Sequence, residues 1–257
     1  MANQHGSQFD NSQERGILAP GNRPKRNPAS RRPTMKPGPY KSQKFQDRWV
    51  IEEALPGKRN GYFVELAAAD GVTHSNTYAL ENLFDWTGLC IEPNPEFYAQ
   101  LVKNRDCSFE SAAISDRREQ VKFRIDNGQL GGVVADDTDN SPGARGNELE
   151  QAKIIEVPAF RLEAILKKHN APPVIDYLSL DVEGCEERII RDFRFNLYQF
   201  NCITVERPTP VVNQTLFDNG YLFVKNFRND SFYVHPSVAA KTEMKLQEFE
   251  QIPPKDW

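Results

Sequence analysis

Four short apolar runs in this chain stop on acidic residues. ELAAADG sets Glu65 and Asp70 around small side chains ahead of Gly71. CIEPN ends on Glu92, with Pro93 and Asn94 behind it; SLDVEG carries Asp181 and Glu183 two residues apart; TVER adds Glu206. If the runs are strands of an open α/β sheet, these acids lie where such sheets bind ligands, outside the carboxyl ends of the strands. Small residues after the first run let the backbone come close to a ligand, and the N–H groups of a following helix can meet an anionic group. An acid after the second strand can accept both ribose hydroxyls of a nucleoside, and the 27 residues from Glu65 to Glu92 make one βαβ step. Asp181 and Glu183 fall on one face of an extended chain. Such a pair can bind a cation, hold one pKa high or accept a proton. The plainer reading makes each acid a solvated strand end or a helix cap.

The elements that must position these residues follow from periodicity. FQDRWVIEEAL (45–55) reads as an amphipathic helix with Phe45, Trp49, Val50 and Leu55 on one side. Strands are expected at YFVELA (62–67), GLCIEP (88–93), CSFESAAIS (107–115), DYLSLDVEG (176–184) and FNCITVER (200–207). Helices are expected at 77–84, 95–104, 161–169, 186–193 and 211–220, with Pro95 suited to a first turn and Asn219-Gly220 to a C-terminal stop. In the third strand, Ser111, Ala112 and Ala113 leave room for a flat base edge. VKFRID and IIEVPAF look like strands around an irregular stretch, 130–148, expected as a long loop or lid with little core. YLFVKNF and SFYVHP, joined by RND, read as a terminal hairpin. Alternating strands and helices imply a doubly wound, mostly parallel sheet under right-handed crossovers, finishing in that antiparallel hairpin.

Composition narrows the class. Of 257 residues, 39% are hydrophobic and 26% charged, enough for a packed core. No apolar run approaches the length of a membrane span, and MANQHGSQFDNSQERG lacks the layout of a secretory signal, so the expected location is cytoplasmic. Residues 1–44 hold nine Lys/Arg against Asp10 and Glu14, so the net charge of −4 divides into a basic arm of +7 and an acidic remainder of −11. Its six prolines and few large apolar residues make the arm a disordered segment, with 45–257 as the folded domain. The arm is either a solvated tail or a contact for a polyanion, a protein or a membrane surface. Cys90, Cys107, Cys185 and Cys202 show no zinc or C-x-x-C spacing and read as reduced thiols. The N-x-S/T sequons at Asn213 and Asn229 read as chance.

No G-x-G-x-x-G follows the first strand, which leaves a dinucleotide unsupported. A rim of carboxylates suits a cationic nucleoside, and the sulfonium, ammonium, ribose and adenine of S-adenosylmethionine match it. GYFVELAAADGVTHSNTYALENLFDWTGLCIEPNPEFYAQLVKNR, SAAISD, IDYLSLDVEGCEERIIRDF and GYLFVKNFRNDSFYVHP together resemble the FkbM family of S-adenosylmethionine-dependent methyltransferases, over about residues 45–236. The resemblance implies a class I methyltransferase (Rossmann-like) fold and methyl transfer to a hydroxyl of a sugar or other small natural product. It also implies that Glu65, Asp70 and Gly71, with Ala67 and Asn76, form the first cofactor loop. Glu92, with Pro93 and Asn94, would hold the ribose, Ala112 and Ala113 would border the adenine, and Asp181 would lie beside the methionine or methyl end. Family members usually have Gly where this chain has Ala67, whose methyl group could crowd the cofactor.

A hydroxyl acceptor must lose a proton, and the candidate bases are His74, Asp181, Glu183 and Glu206. His169 and His235 are expected to be structural. Acceptor contacts are expected in 126–156 and near 207–214. Two other readings stay open: a non-catalytic binding module that uses the basic arm, and a glycosyltransferase with Asp181 and Glu183 on a divalent ion. Beyond that pair no spacing supports a metal site.

Overall fold

The computed structural model describes residues 40–253; the expected arm up to residue 39, and residues 254–257, lie outside the described residues. Strand β1 (Tyr62–Leu66) shows how the core divides. Successive side chains on a strand face opposite sides. Phe63 packs with Trp49, Leu80, Trp86 and Leu101 on one side of the sheet, while Val64 and Leu66 join Leu162, Ile165 and Ile189 on the other. The same alternation separates Cys90 from Leu89 and Ile91, and Tyr177 from Leu178. With both faces covered, the strands read as continuous apolar runs.

Next come α2 (Tyr78–Phe84), β2 (Thr87–Ile91), α3 (Pro95–Asn104) and β3 (Ser108–Glu110). Later in the chain stand β7 (Val174–Leu180), α6 (Glu186–Ile190), β8 (Gln199–Glu206) and α7 (Pro210–Asp218), then the hairpin β9 (Leu222–Phe227) and β10 (Asp230–Val234). The seven-stranded sheet runs β3-β2-β1-β7-β8-β10-β9. Only β10 breaks the parallel run, pairing antiparallel with both β8 and β9. This is the doubly wound, mostly parallel sheet expected from the sequence, finished by the antiparallel hairpin. Its order reverses between β1 and β7, so the topological switch point lies there.

Several expectations change. The strand expected over 107–115 is two strands. β3 ends at Glu110, and β4 (Ala113–Ile114) joins a three-stranded sheet with β5 (Glu119–Arg124) and β6 (Ile154–Phe160). Ser111 and Ala112 cross between the two sheets, a step that periodicity cannot show. The stretch 130–148 is irregular, but Val133, Thr138, Asn140 and Ser141 are buried, so it is packed rather than loose; it contains the short α4 (Pro142–Arg145). The first helix, α1 (Gln46–Trp49), continues as a π-helical turn over Val50–Ala54, and Phe45 at its start is exposed with φ +61°. Residues 40–44, assigned to the arm from composition, lie on the domain: Lys44 is buried and ion-paired. α5 (Leu162–Lys168) falls where expected, whereas α8 (Pro236–Thr242) was not anticipated. All four cysteines are free. Among the described residues no helix is long and apolar enough to cross a membrane.

Candidate active site

A hollow that is partly open to solvent lies beside the carboxyl ends of β1 and β2. Ala67 and Ala69 line it from the loop after β1, Glu92, Pro93 and Asn94 from the end of β2, and Ala112 and Ala113 from the crossover into β4. Phe97, Phe123, Gly128, Gln129, Gly131–Val133, Val182 and Cys185 complete the wall. These last residues were not singled out from sequence. The Gly-rich GQLGG was only part of a loop, and no pattern reports that two phenylalanines from α3 and β5 meet there.

Glu92 is 4% exposed and accepts hydrogen bonds from the N–H groups of Ala69 (2.8 Å) and Asn94 (2.7 Å). Burial raises its carboxyl to about 7 against those two donors, which lower it. A carboxylate offers about four acceptor positions. Two are used, and the remainder fit a ribose diol. Asn94 caps α3 by accepting from the Glu96 N–H, and Ala67 lies exposed on the hollow with left-handed φ +52°. The residues present therefore suit the nucleoside half of S-adenosylmethionine: small walls, a diol acceptor and apolar rings.

Glu65, Asp70, Gly71 and Asn76 occupy a different place. Glu65 lies on the opposite face of β1 from Leu66, which lines the hollow. Its carboxylate accepts from Ser75 Oγ (2.9 Å), the Asn76 N–H (2.6 Å) and Thr77 Oγ1 (2.6 Å). Asp70 accepts from the N–H groups of Val72 and Thr73. Gly71, at φ +76°, leaves no room for a Cβ, which would lie 2.5 Å from Leu101 Cδ1. The Asn76 side chain donates to Ser179 Oγ at 2.8 Å, tying the loop to β7. These four residues build the loop rather than line the hollow. Arg105, absent from the sequence reading, completes the structure. It is 3% exposed; Nη1 donates to the Gly71 carbonyl (3.0 Å) and Ser75 Oγ (3.1 Å), Nη2 to Thr77 Oγ1 (2.9 Å), and Nε to Glu81 Oε2 (2.5 Å).

The second group gathers past β7 and β8. Asp181, Glu183 and Glu206 bring carboxylate oxygens within 4.8 Å of one another. They do not meet by sharing an extended face, as expected. Glu183 takes left-handed φ +54° and Gly184 follows at φ +92°, where a Cβ would lie 2.8 Å from the Asp139 nitrogen. The turn folds the acids inward. Arg207 Nη2 contacts Asp139, Glu183 (3.1 Å) and Glu206 (3.2 Å), while Lys44 Nζ contacts Glu206 (2.9 Å) and Asp230 (2.6 Å). Burial and then the charge of Glu206 push the Asp181 carboxyl well up. Glu183 is raised to about 8 by burial, with Glu206 the next cause. Although burial works against it, Glu206 is held below its ordinary value by Arg207, Lys44 and the Asp181 hydrogen bond. At neutral pH the group thus contains protonated and ionised carboxyls side by side. Val182, between Asp181 and Glu183, lines the hollow and joins the two groups.

His74 stands exposed at the mouth with φ +61°. Its Nδ1 lies 2.6 Å from Gln43 Nε2 and 2.7 Å from Gln129 Oε1. His169 pairs with Glu110, and His235 caps α8. Of the sequon asparagines, Asn213 is buried and the Asn229 amide donates to Glu206.

Among curated proteins none matches the sequence. Similar solved structures include fibrillarin of Aeropyrum pernix with natively bound S-adenosyl-L-methionine: 14% identical, 76% of this chain and 74% of that one covered, TM-score 0.40. The precorrin-6y C5,15-methyltransferase of Geobacter metallireducens is 11% identical over 73% of this chain and 85% of its own, TM-score 0.38. The METTL16 methyltransferase domain is 14% identical over 73% and 64%, TM-score 0.39. The methyltransferase FkbM domain profile matches residues 65–223, from the end of β1 into the hairpin. By that match the chain belongs to the FkbM family of S-adenosylmethionine-dependent methyltransferases.

Proposed function

We propose that this methyltransferase acts on a hydroxyl oxygen of a small molecule such as a sugar. The observation that carries the reading is the carboxyl cluster beside the hollow: Glu183 follows Val182 on its wall and lies within 4.8 Å of the Asp181 and Glu206 oxygens, and burial raises its carboxyl to about 8. A base matched to operating pH is what a weakly acidic hydroxyl needs, and positioned proton transfer contributes about 10²–10⁴-fold. When bound, S-adenosylmethionine supplies a methyl group on a positively charged sulfonium. The chain's own residues align and deprotonate. Glu92 accepts the ribose hydroxyls, the alanines and Phe97 and Phe123 enclose the nucleoside, and Glu183 takes the acceptor's proton. Asp181, kept protonated, donates to Glu206, which Arg207 and Lys44 hold ionised. His74, whose Nδ1 pairs with the Gln43 amide or the Gln129 carbonyl according to its tautomer and whose ring is exposed, is left outside this cluster. Alignment supplies the larger share of the rate, roughly 7–11 kcal/mol of the barrier.

A panel of hydroxylated sugars and small molecules, incubated with isotopically labelled S-adenosylmethionine and the full chain, tests this. Label recovered as a methyl ether, lost in Glu183→Gln, supports the proposal. Label on nitrogen or carbon overturns it.

A further inference from the structure

We infer that Arg105 is a positioning residue for methyl-donor binding. It acts on the loop after β1 from the face of the sheet opposite the hollow, an inference that rests on the hollow being the donor site. The loop from Ala67 to Thr77 has left-handed backbone at Ala67, Ala69, Gly71 and His74, conformations that side-chain-bearing residues hold only when their surroundings over-determine them. Arg105 is that over-determination. It reaches two parts of the loop, the Gly71 carbonyl and the Ser75 and Thr77 hydroxyls, and anchors both to Glu81 on α2. Glu65 Oε2 lies 3.5 Å from Nη1 and binds the same two hydroxyls, so loop, strand and helix close into one network. The guanidinium packs over Phe63 and Tyr78, with 5.3 and 5.8 Å to the ring centroids, which fixes its plane. What the network delivers is the Ala69 N–H, presented to Glu92 at 2.8 Å, and the exposed Ala67 on the wall. Arg105 itself touches no part of the hollow.

The geometry needs a fork. Three nitrogens of one planar group are used in different directions, and a lysine ammonium is a single point on a flexible stem. Arg105→Lys therefore keeps the charge and loses the arrangement.

The test measures S-adenosylhomocysteine affinity by calorimetry, steady-state kinetics, and thermal unfolding on the full chain. Wild type binds, and Glu92→Ala loses binding; if wild type does not bind, the donor site itself is misplaced and the inference falls with it. Given wild-type binding, Arg105→Lys should weaken affinity about 10–100-fold, by analogy with the loss seen when partners that orient metal ligands are removed. KM for the donor should rise in step, and kcat at saturating donor should stay within about threefold, because the proton-accepting carboxylates lie past β7 and β8. Arg105→Ala should recover affinity on addition of tens of millimolar guanidinium, which leaves wild type unchanged. A merely structural residue would lower the folded fraction while leaving affinity per folded molecule intact. Affinity within twofold of wild type in folded Arg105→Lys overturns the inference. So does a folded Arg105→Ala that guanidinium does not rescue.

Discussion

The two ends of this site handle buried charge in opposite ways. At the donor end, Glu65 and Glu81 share Arg105, and Glu92 spends two of its acceptor positions on backbone N–H groups. Past β7 and β8, Asp139, Asp181, Glu183, Glu206 and Asp230 gather around two cations, Arg207 and Lys44. The first arrangement fixes geometry. The second leaves more carboxyls than cations in a desolvated place, and the surplus is carried as protons. Burial of like charges raises a carboxyl pKa, which suits a group that must hold or take a proton at neutral pH and is a poor way to secure a fold. One end is held by an arginine and backbone donors; the other carries carboxyls whose pKa burial and like charge hold high.

The largest effect should come from breaking the donor end at its ligand. Glu92→Ala removes both charge-assisted acceptors for the ribose, at about 1.5–3 kcal/mol each, and frees the Ala69 and Asn94 N–H groups. Calorimetry with S-adenosylhomocysteine should show affinity lower by at least about 100-fold. Retained affinity would place the ribose elsewhere. At the other end, Glu183→Gln should lower kcat by about 10²–10⁴-fold while donor affinity moves less than about threefold. Equal losses of affinity in both variants would erase the distinction between the ends.

Buried carboxyls at both ends make stability depend on pH. Folded Glu183 titrates at about 8, Glu92 and Glu186 at about 7 and Asp230 at about 6, each raised first of all by burial. In the unfolded chain these carboxyls titrate near 4. Between those values the folded protein holds protons that the unfolded chain releases, so the stability they contribute is complete below about pH 4 and is lost as pH rises to about 8. Scanning calorimetry from pH 5.5 to 8.5 should show Tm falling by roughly 4–8 °C, about 2 kcal/mol for a domain of this size. Glu183→Gln should flatten that slope. Turnover should rise over the same interval as Glu183 ionises. A Tm that climbs with pH would mean the surplus protons are not there.

How much of this was legible in the sequence depends on whether periodicity or long-range contact sets a feature. β1, β2, α3 and the terminal hairpin were visible because both faces of the sheet are buried and each apolar run ends at a Pro, Gly or acid. Glu92 was legible as the acid one βαβ step beyond Glu65. Arg105 was not: its partners lie on the loop, on α2 and on β1, and nothing local marks a buried arginine. Residues 40–44 were lost to composition, because Lys44 looks like the other basic residues until Glu206 and Asp230 meet it. The convergence of Asp181 and Glu183 was foreseen for the wrong reason. The expectation takes the chain as extended, whereas a left-handed turn at Glu183 and Gly184 brings the two acids together with Glu206.

Ala67 provides the finest probe of the donor end. It sits at φ +52° on the wall of the hollow, where a non-glycine residue is strained by roughly 1–2 kcal/mol and its methyl group narrows the space beside the cofactor. Glycine would relieve both, but it also gains freedom in the unfolded chain, a loss of roughly 0.5–1 kcal/mol. The two terms nearly cancel, so Ala67→Gly should shift Tm by no more than about 3 °C. Affinity has no such cancellation, because unfolded-chain entropy does not enter the binding of a folded protein. The released space should show as two- to fivefold tighter donor binding. Weaker binding would mean instead that the methyl group helps to hold the loop in the shape the donor needs, which would move Ala67 into the same class as Arg105.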